Sequence, residues 1–272
     1  MESGKKSIYL DQLKMSYSKP IVLMTGSNGT LGSVLKNYLQ SFGCRVNIWD
    51  YNQATTDDYW KMYEFIKKIK PDILIHLAAI TSFSESERVN SWQVNYLWSS
   101  ELAWICRELK IKFIFTSTNL VFKKNGPYFP DTEPDSDFGY GYEKRAAENK
   151  ILNQNPCSVI IRLGWQISIS GNNSMLMWLD REFEKKGCIN ASFNWYPSCS
   201  YTEDTSRLIH HLFDFEGGIY QINSNQHSHF HEICCNLQRK YNRNWKLIAT
   251  DDDFIDQRMY DDRIPAYLLN SF

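Results

Sequence analysis

Tyr140 and Lys144 stand four residues apart in the stretch GYGYEKRAAE (139–148). On a helix, positions i and i+4 share a face, whereas Tyr142, two residues before the lysine, points elsewhere. A phenol held beside an ammonium can move a proton to or from a reacting oxygen. A phenol alone does this poorly near neutral pH, because its ordinary pKa is about 10. A nearby positive charge favours the phenolate and lowers that value. The spacing describes a surface pair on a polar helix equally well, so the decision between the two rests with the rest of the chain.

A second chemical feature lies earlier, in TGSNGTLG (25–32), where Gly26, Gly29 and Gly32 are spaced GxxGxxG. Glycines there permit a tight turn and close approach of the backbone to a pyrophosphate, and a following helix offers unpaired N–H groups at its positive end. The context supports this: the apolar run IVLM (21–24) precedes the turn, and LGSVLKNYLQSFG follows with apolar residues at helical spacing. The loop residues expected at a dinucleotide are Gly26, Asn28, Gly29, Thr30, Leu31 and Gly32. Asp50 ends the next strand, about twenty residues on, where an acid accepts the adenosine ribose hydroxyls. A carboxylate there disfavours a 2′-phosphate, so NADH is favoured over NADPH; strand-end aspartates are also common turn residues. Asp57 and Asp58 are both candidates for the adenine, and the sequence does not choose between them.

These residues need elements to position them. Short apolar runs at 21–24, 45–50, 73–79, 112–118 and 158–164 alternate with helical patterns at 57–70, 92–110 and 143–155. Such alternation predicts an α/β fold, a Rossmann-type doubly wound parallel sheet, and it loosens after about residue 165 into a smaller C-terminal region. The expected division is an N-terminal extension at 1–18, a dinucleotide-binding domain at 19–165 and a smaller region at 166–272, interleaved with the first or separate. Residues 1–18 lack the continuous apolar core of a signal peptide. The net charge of -1 offers no global field for nucleic acid or anionic membrane, and no stretch reads as a membrane span. Seven cysteines with no CxxC spacing suit a reducing cytoplasm.

Taken together, TGSNGTLG, the HLAA strand end, Val94–Asn95, STNLVF and YGYEK resemble the extended short-chain dehydrogenase/reductases. Within them, STNLVFKKNGPYFPDTEPDSDFGYGYEKRAAE, IIRLGW and GNNSMLMWL are most similar to dTDP-4-dehydrorhamnose reductase. The resemblance implies reduction of the 4-keto group of a nucleotide-activated 6-deoxy sugar by NADH or NADPH, and it implies that the smaller C-terminal region is a substrate-binding region. It implies Tyr140 as proton donor, Lys144 as its partner and a ligand of the nicotinamide ribose, Thr118 as the strand-end hydroxyl, and Asn95 as a supporting helix asparagine. It adds Ala78 and Ala79 at the cofactor, and Asn119, Trp165, Asn173 and Arg263 at a nucleotide-diphosphate sugar; Arg263 serves equally as an exposed ion pair. Relatives suggest a homodimer. The family usually has aspartate and an aromatic residue after the threonine, where this chain has Asn119 and Leu120, so its sugar can differ.

The same machinery also serves 4-epimerases and 4,6-dehydratases, and the fold serves non-catalytic subunits resembling the methionine adenosyltransferase beta subunit. Dehydratases need acids beside the threonine, and Asn119 counts against that. Asp204 reads as a helix cap. His227, His229 and His231 invite a metal, but the following helical pattern makes a cap the better reading, and no metal is expected.

Overall fold

The apolar runs form strands because alternate side chains are buried on both faces of one sheet. The computed structural model describes residues 19–81, 88–171 and 173–270; the extension expected at 1–18 lies outside them. Strands β1 (Ile21–Thr25), β2 (Arg45–Ile48), β3 (Ile73–His76), β4 (Lys112–Thr118), β5 (Val159–Leu163) and, later in the chain, β10 (Gly218–Ile222) make a parallel sheet in the order β10-β5-β4-β3-β1-β2. Val22, Met24, Ile73, Ile75, Ile114 and Ile161 face one layer, where helix α1 (Thr30–Ser41) supplies Leu31, Leu35 and Leu39. Leu23, Leu74, Phe113, Phe115 and Ile160 face the other, against α2 (Tyr59–Ile69). The doubly wound arrangement expected from the alternation is thus present.

The helical pattern of 92–110 differs from one continuous helix. Helix α3 (Arg88–Trp92) passes into a π-helical turn at Gln93–Trp98 and then into α4 (Ser99–Glu108). The local cause is visible: the Ser99 hydroxyl donates to the Asn95 carbonyl at 3.1 Å and reaches the Val94 carbonyl at 3.3 Å, while Ser100 donates to Tyr96 at 2.7 Å. Such back-bonding competes with the regular ladder. Helix α5 (Gly139–Gln154) carries Tyr140 in its first turn.

Beyond residue 165 three two-stranded parallel pairs form. They join β6 (Trp165–Ile167) to β9 (Cys199–Tyr201), β7 (Ile189–Ser192) to β11 (Leu247–Thr250), and β8 (Trp195–Tyr196) to β12 (Ile255–Asp256). Helices α6 (Met175–Lys186) and α8 (Phe230–Lys240) share a separate apolar core with them. Between the two, α7 (Thr202–His211) packs on α1, and β10 joins the main sheet. Asp204 does not cap α7: it is fully buried, accepts the Asn270 backbone N–H at 2.8 Å and side chain at 2.6 Å, and pairs with Arg207. His229 caps α8, its Nδ1 accepting the Glu232 N–H at 3.2 Å. Among the described residues no helix is long and apolar enough to cross a membrane.

Candidate active site

The order of strands reverses direction between β1 and β3, and the crevice beyond their carboxyl ends is where a sheet of this kind receives ligands. The glycine turn occupies that place. Gly26 has φ +66, and a Cβ on Gly32 would lie 2.1 Å from the Gly26 carbonyl oxygen. The turn is therefore folded directly onto the start of α1, whose N-cap, Gly29, brings no side chain to cover the first-turn N–H groups. Thr25 fixes the neighbouring strand end, because its hydroxyl oxygen accepts from the backbone N–H of Leu77 at 3.1 Å and Ala78 at 3.2 Å.

Past the end of β2, Asp50 is held by the Gln53 side chain at 2.6 Å and the Asn52 N–H at 2.9 Å. These donors, Gln53 foremost, keep its carboxyl below the usual carboxylate range. The two neighbouring acids differ in duty. Asp58 caps α2 by accepting the Lys61 N–H at 3.0 Å. Asp57 instead lines a cavity of about 450 Å³ with Tyr51, Thr55, Thr56, Asn90 and Gln93.

On the chemical side, Thr118 ends β4, and its Oγ1 accepts the Leu120 N–H at 3.2 Å, which leaves its proton for another acceptor. The start of α5 is pressed onto the following turn: a Cβ on Gly141 would stand 2.0 Å from the Leu120 carbonyl oxygen. That close approach brings the first turn of α5, with Tyr140, against the end of β4. Lys144 lies one turn on, 1% exposed, its ammonium 3.9 Å from the centre of the Phe115 ring. Tyr142 is exposed and stacks on Trp92, as its position two residues before the lysine requires.

The charges correct one expectation. Burial, and then the Glu143 carboxylate, push the Tyr140 phenol above its ordinary value; the ammonium does not bring it down. Burial instead pushes Lys144 down to about 7, opposed by Glu148 and Glu143.

Asn95, buried in the π turn, clamps the chain after β3: Oδ1 accepts the Ile80 N–H at 3.0 Å and Nδ2 donates to the Ile80 carbonyl at 2.8 Å. Its Nδ2 also reaches Glu143 at 2.7 Å. Ala78 and Ala79 lie between this clamp and the glycine turn, Ala79 exposed. Sequence reasoning passed over Glu143, Thr25 and His76. His76 is fully buried and held well below its usual pKa by desolvation, then by the nearby Lys144. Its Nδ1 meets the Thr25 hydroxyl at 2.8 Å and its Nε2 meets Ser99 at 3.1 Å. Since Thr25 already accepts two N–H groups, its hydroxyl donates to Nδ1, and the neutral ring carries its proton on Nε2.

Of the residues expected at a sugar, Asn119 is buried in the turn after Thr118, and Trp165 is half-buried between Trp178 and Trp195, with ring centres at 5.2 and 6.4 Å. Asn173 is exposed, and its backbone N–H points to Thr30 Oγ1 at 3.4 Å. Arg263 does not join them. It is paired with Asp261 at 2.7 Å, donates to the Ile219 carbonyl, and lies over Tyr220. Ile219 is three positions before Ile222, the residue level with Leu163 and Thr118, so Arg263 is anchored away from the carboxyl edge. An acid two residues away captures it locally.

Residues 20–234 match the model of the RmlD substrate-binding domain. Among characterised relatives, the chain is 27% identical over 207 residues to the spore coat polysaccharide biosynthesis protein SpsK of Bacillus subtilis, covering 75% of this chain and 73% of that one. It is 29% identical over 162 residues to a dTDP-4-dehydrorhamnose reductase of Streptomyces griseus, where the match spans 58% of this chain and only 53% of the relative. In fold it is similar to the dTDP-4-dehydrorhamnose reductase of Bacillus anthracis in complex with NADP, with TM-score 0.77 and 22% identity over 86% of this chain and 85% of that one. WbmH of Bordetella bronchiseptica, in complex with NAD+, gives TM-score 0.73 and 18% identity over 89% of each chain. With the glycine turn and the strand-end threonine at the carboxyl edge of one parallel sheet, and with the match running over most of its length, the chain belongs to the RmlD substrate-binding domain family.

Proposed function

We propose that the protein is an oxidoreductase that uses NADH or NADPH to reduce the 4-keto group of a nucleotide-activated 6-deoxy sugar. The observation that carries this reading is the placement of Tyr140 and Lys144 on one helix face, pressed against the Thr118 strand end at the sheet edge that holds the glycine turn. The names of the relatives support it. The residues fit a dinucleotide: the space that a Cβ would fill at Gly32 is closed by backbone, and the uncovered N–H groups of α1 face the crevice as an anion site. Gly26, Asn28, Gly29, Thr30, Leu31 and Gly32 would hold the pyrophosphate, Asp50 the adenosine ribose, Asp57 the adenine, and Lys144 with Ala78 and Ala79 the nicotinamide end.

When bound, the cofactor supplies hydride. Thr118 donates a hydrogen bond to the carbonyl oxygen as charge grows there. Tyr140 delivers the proton; before the reaction, burial and the Glu143 carboxylate hold the phenol in its protonated form. Asn119, Trp165 and Asn173 border the sugar. A cytoplasmic setting and a homodimer belong to the same reading.

The test is NADH consumption with a panel of 4-keto sugar nucleotides. Tyr140→Phe should lower turnover about 10²–10⁴-fold, the range of a general acid, with NADH affinity within about threefold. Undiminished turnover in that variant would overturn the mechanism.

A further inference from the structure

Glu143 lies between the two residues of the proposed chemistry and is 8% exposed. A carboxylate withdrawn from water is costly unless hydrogen-bonded or paired. Both of its oxygens are taken by neutral donors: Oε1 by the Ser91 hydroxyl and Oε2 by Asn95 Nδ2, each at 2.7 Å. We propose that Glu143 is a positioning residue, which fastens the tyrosine–lysine helix to the π turn and, through Asn95, to the Ile80 backbone at the cofactor, while holding an uncompensated negative charge beside Lys144. This rests on the reductase reading above and deepens it.

The surroundings single out this acid. Lys144 is faced on its own helix by Glu143 and Glu148, from β3 by His76, and from β4 by the Phe115 ring. Glu148 has the larger effect of the two on Lys144 but is tied to Arg162 of β5 at 2.7 Å, whereas Glu143 acts on both Lys144 and Tyr140. His76 is neutral. Glu143 forms no ion pair at contact distance among the described residues. Its field therefore acts on its neighbours, raising both the phenol of Tyr140 and the ammonium of Lys144. The first holds the phenol in its protonated form while making it a weaker acid. The second opposes the loss of charge that burial imposes on Lys144.

The experiment measures turnover and NADH affinity against pH in the parent, Glu143→Gln and Glu143→Ala. The glutamine keeps the shape and one acceptor while removing the charge. NADH affinity should weaken as pH rises through the Lys144 titration, and in Glu143→Gln that limb should move to lower pH. Turnover in both variants should fall about ten- to a hundredfold, with the sugar KM changed less than threefold. Superimposable pH profiles with turnover within twofold would overturn the proposal. A parent that binds NADH but reduces no 4-keto sugar nucleotide would defeat the reductase reading alone, and the NADH limb would still decide the role of Glu143. A parent that binds no NADH at all would defeat both.

Discussion

Asp50 is the residue on which the proposed preference between the two cofactors rests. Its carboxylate stays charged because Gln53 and Asn52 donate to it, and it stands two residues beyond β2, the strand paired with β1. An anion there accepts ribose hydroxyls and repels a 2′-phosphate. Asp50→Ala should therefore weaken NADH about tenfold or more, the scale of a lost charged hydrogen bond, while NADPH affinity holds or improves. Titration of both nucleotides by protein fluorescence reads the ratio directly, and an unchanged ratio would remove Asp50 from the cofactor site. The choice between Tyr140 and Tyr142 is of the same kind: helical geometry alone separates them, and the structure turns the second outward onto Trp92. Arg263 teaches the opposite lesson. The family resemblance leaves it even between a diphosphate ligand and an exposed ion pair; it is paired with Asp261, and no pattern of spacing registers which of two charges wins.

The π turn is where local pattern and final element part company. Residues 92–110 have helical periodicity throughout, yet the side chain that matters, Asn95, depends on an irregularity within it. Its amide satisfies the backbone of Ile80 in both directions and one oxygen of Glu143. Asn95→Ala would leave these groups without their partners, and each buried unmade bond costs about 1–3 kcal/mol. We expect a loss of about 2–4 kcal/mol on that scale, read as a lower urea midpoint, and a variant as stable as the parent would show that the clamp carries no weight. The strands, by contrast, were legible because their cause is local: IVLM and ILIH bury every residue or nearly so, and the run of apolar types states it. The glycine turn was legible for the same reason, since strand, turn and helix are contiguous. The Glu143–Asn95 bond spans 48 residues and the insertion of β10 beside β5 spans more, so neither has a local signature. Glu143 could have been suspected only from an acid lodged between two residues already assigned to chemistry.

At the scale of the whole molecule, the buried ionisable groups set a pH of greatest stability. Lys144 falls to about 7 in the folded chain from about 10.4 when unfolded. Between those values the unfolded state binds the extra proton, so this contribution is complete above about 10.4 and is lost as pH falls to about 7. His76, also depressed, adds a further loss as pH falls below about 6.5, its unfolded value. Cys106, Cys199 and Cys234 act in the opposite sense. Burial raises all three, so their contribution is complete below about 8.5, the unfolded thiol value, and is lost as pH rises beyond it. Three thiols outweigh one lysine above that point, each proton being worth up to about 1.4 kcal/mol per pH unit. Stability should therefore climb from pH 6, peak between about 7.5 and 8.5, and decline by pH 9.5. Urea unfolding at half-unit intervals tests the shape under reducing conditions. Cys106→Ala should soften the alkaline decline without moving the acid side, because that thiol, on α4 and fully buried, is raised by burial alone. A profile flat from pH 6 to 9.5, or one with its maximum below 6, would mean that these groups do not titrate out of register with the unfolded chain, and the electrostatic picture of the site would fall with it.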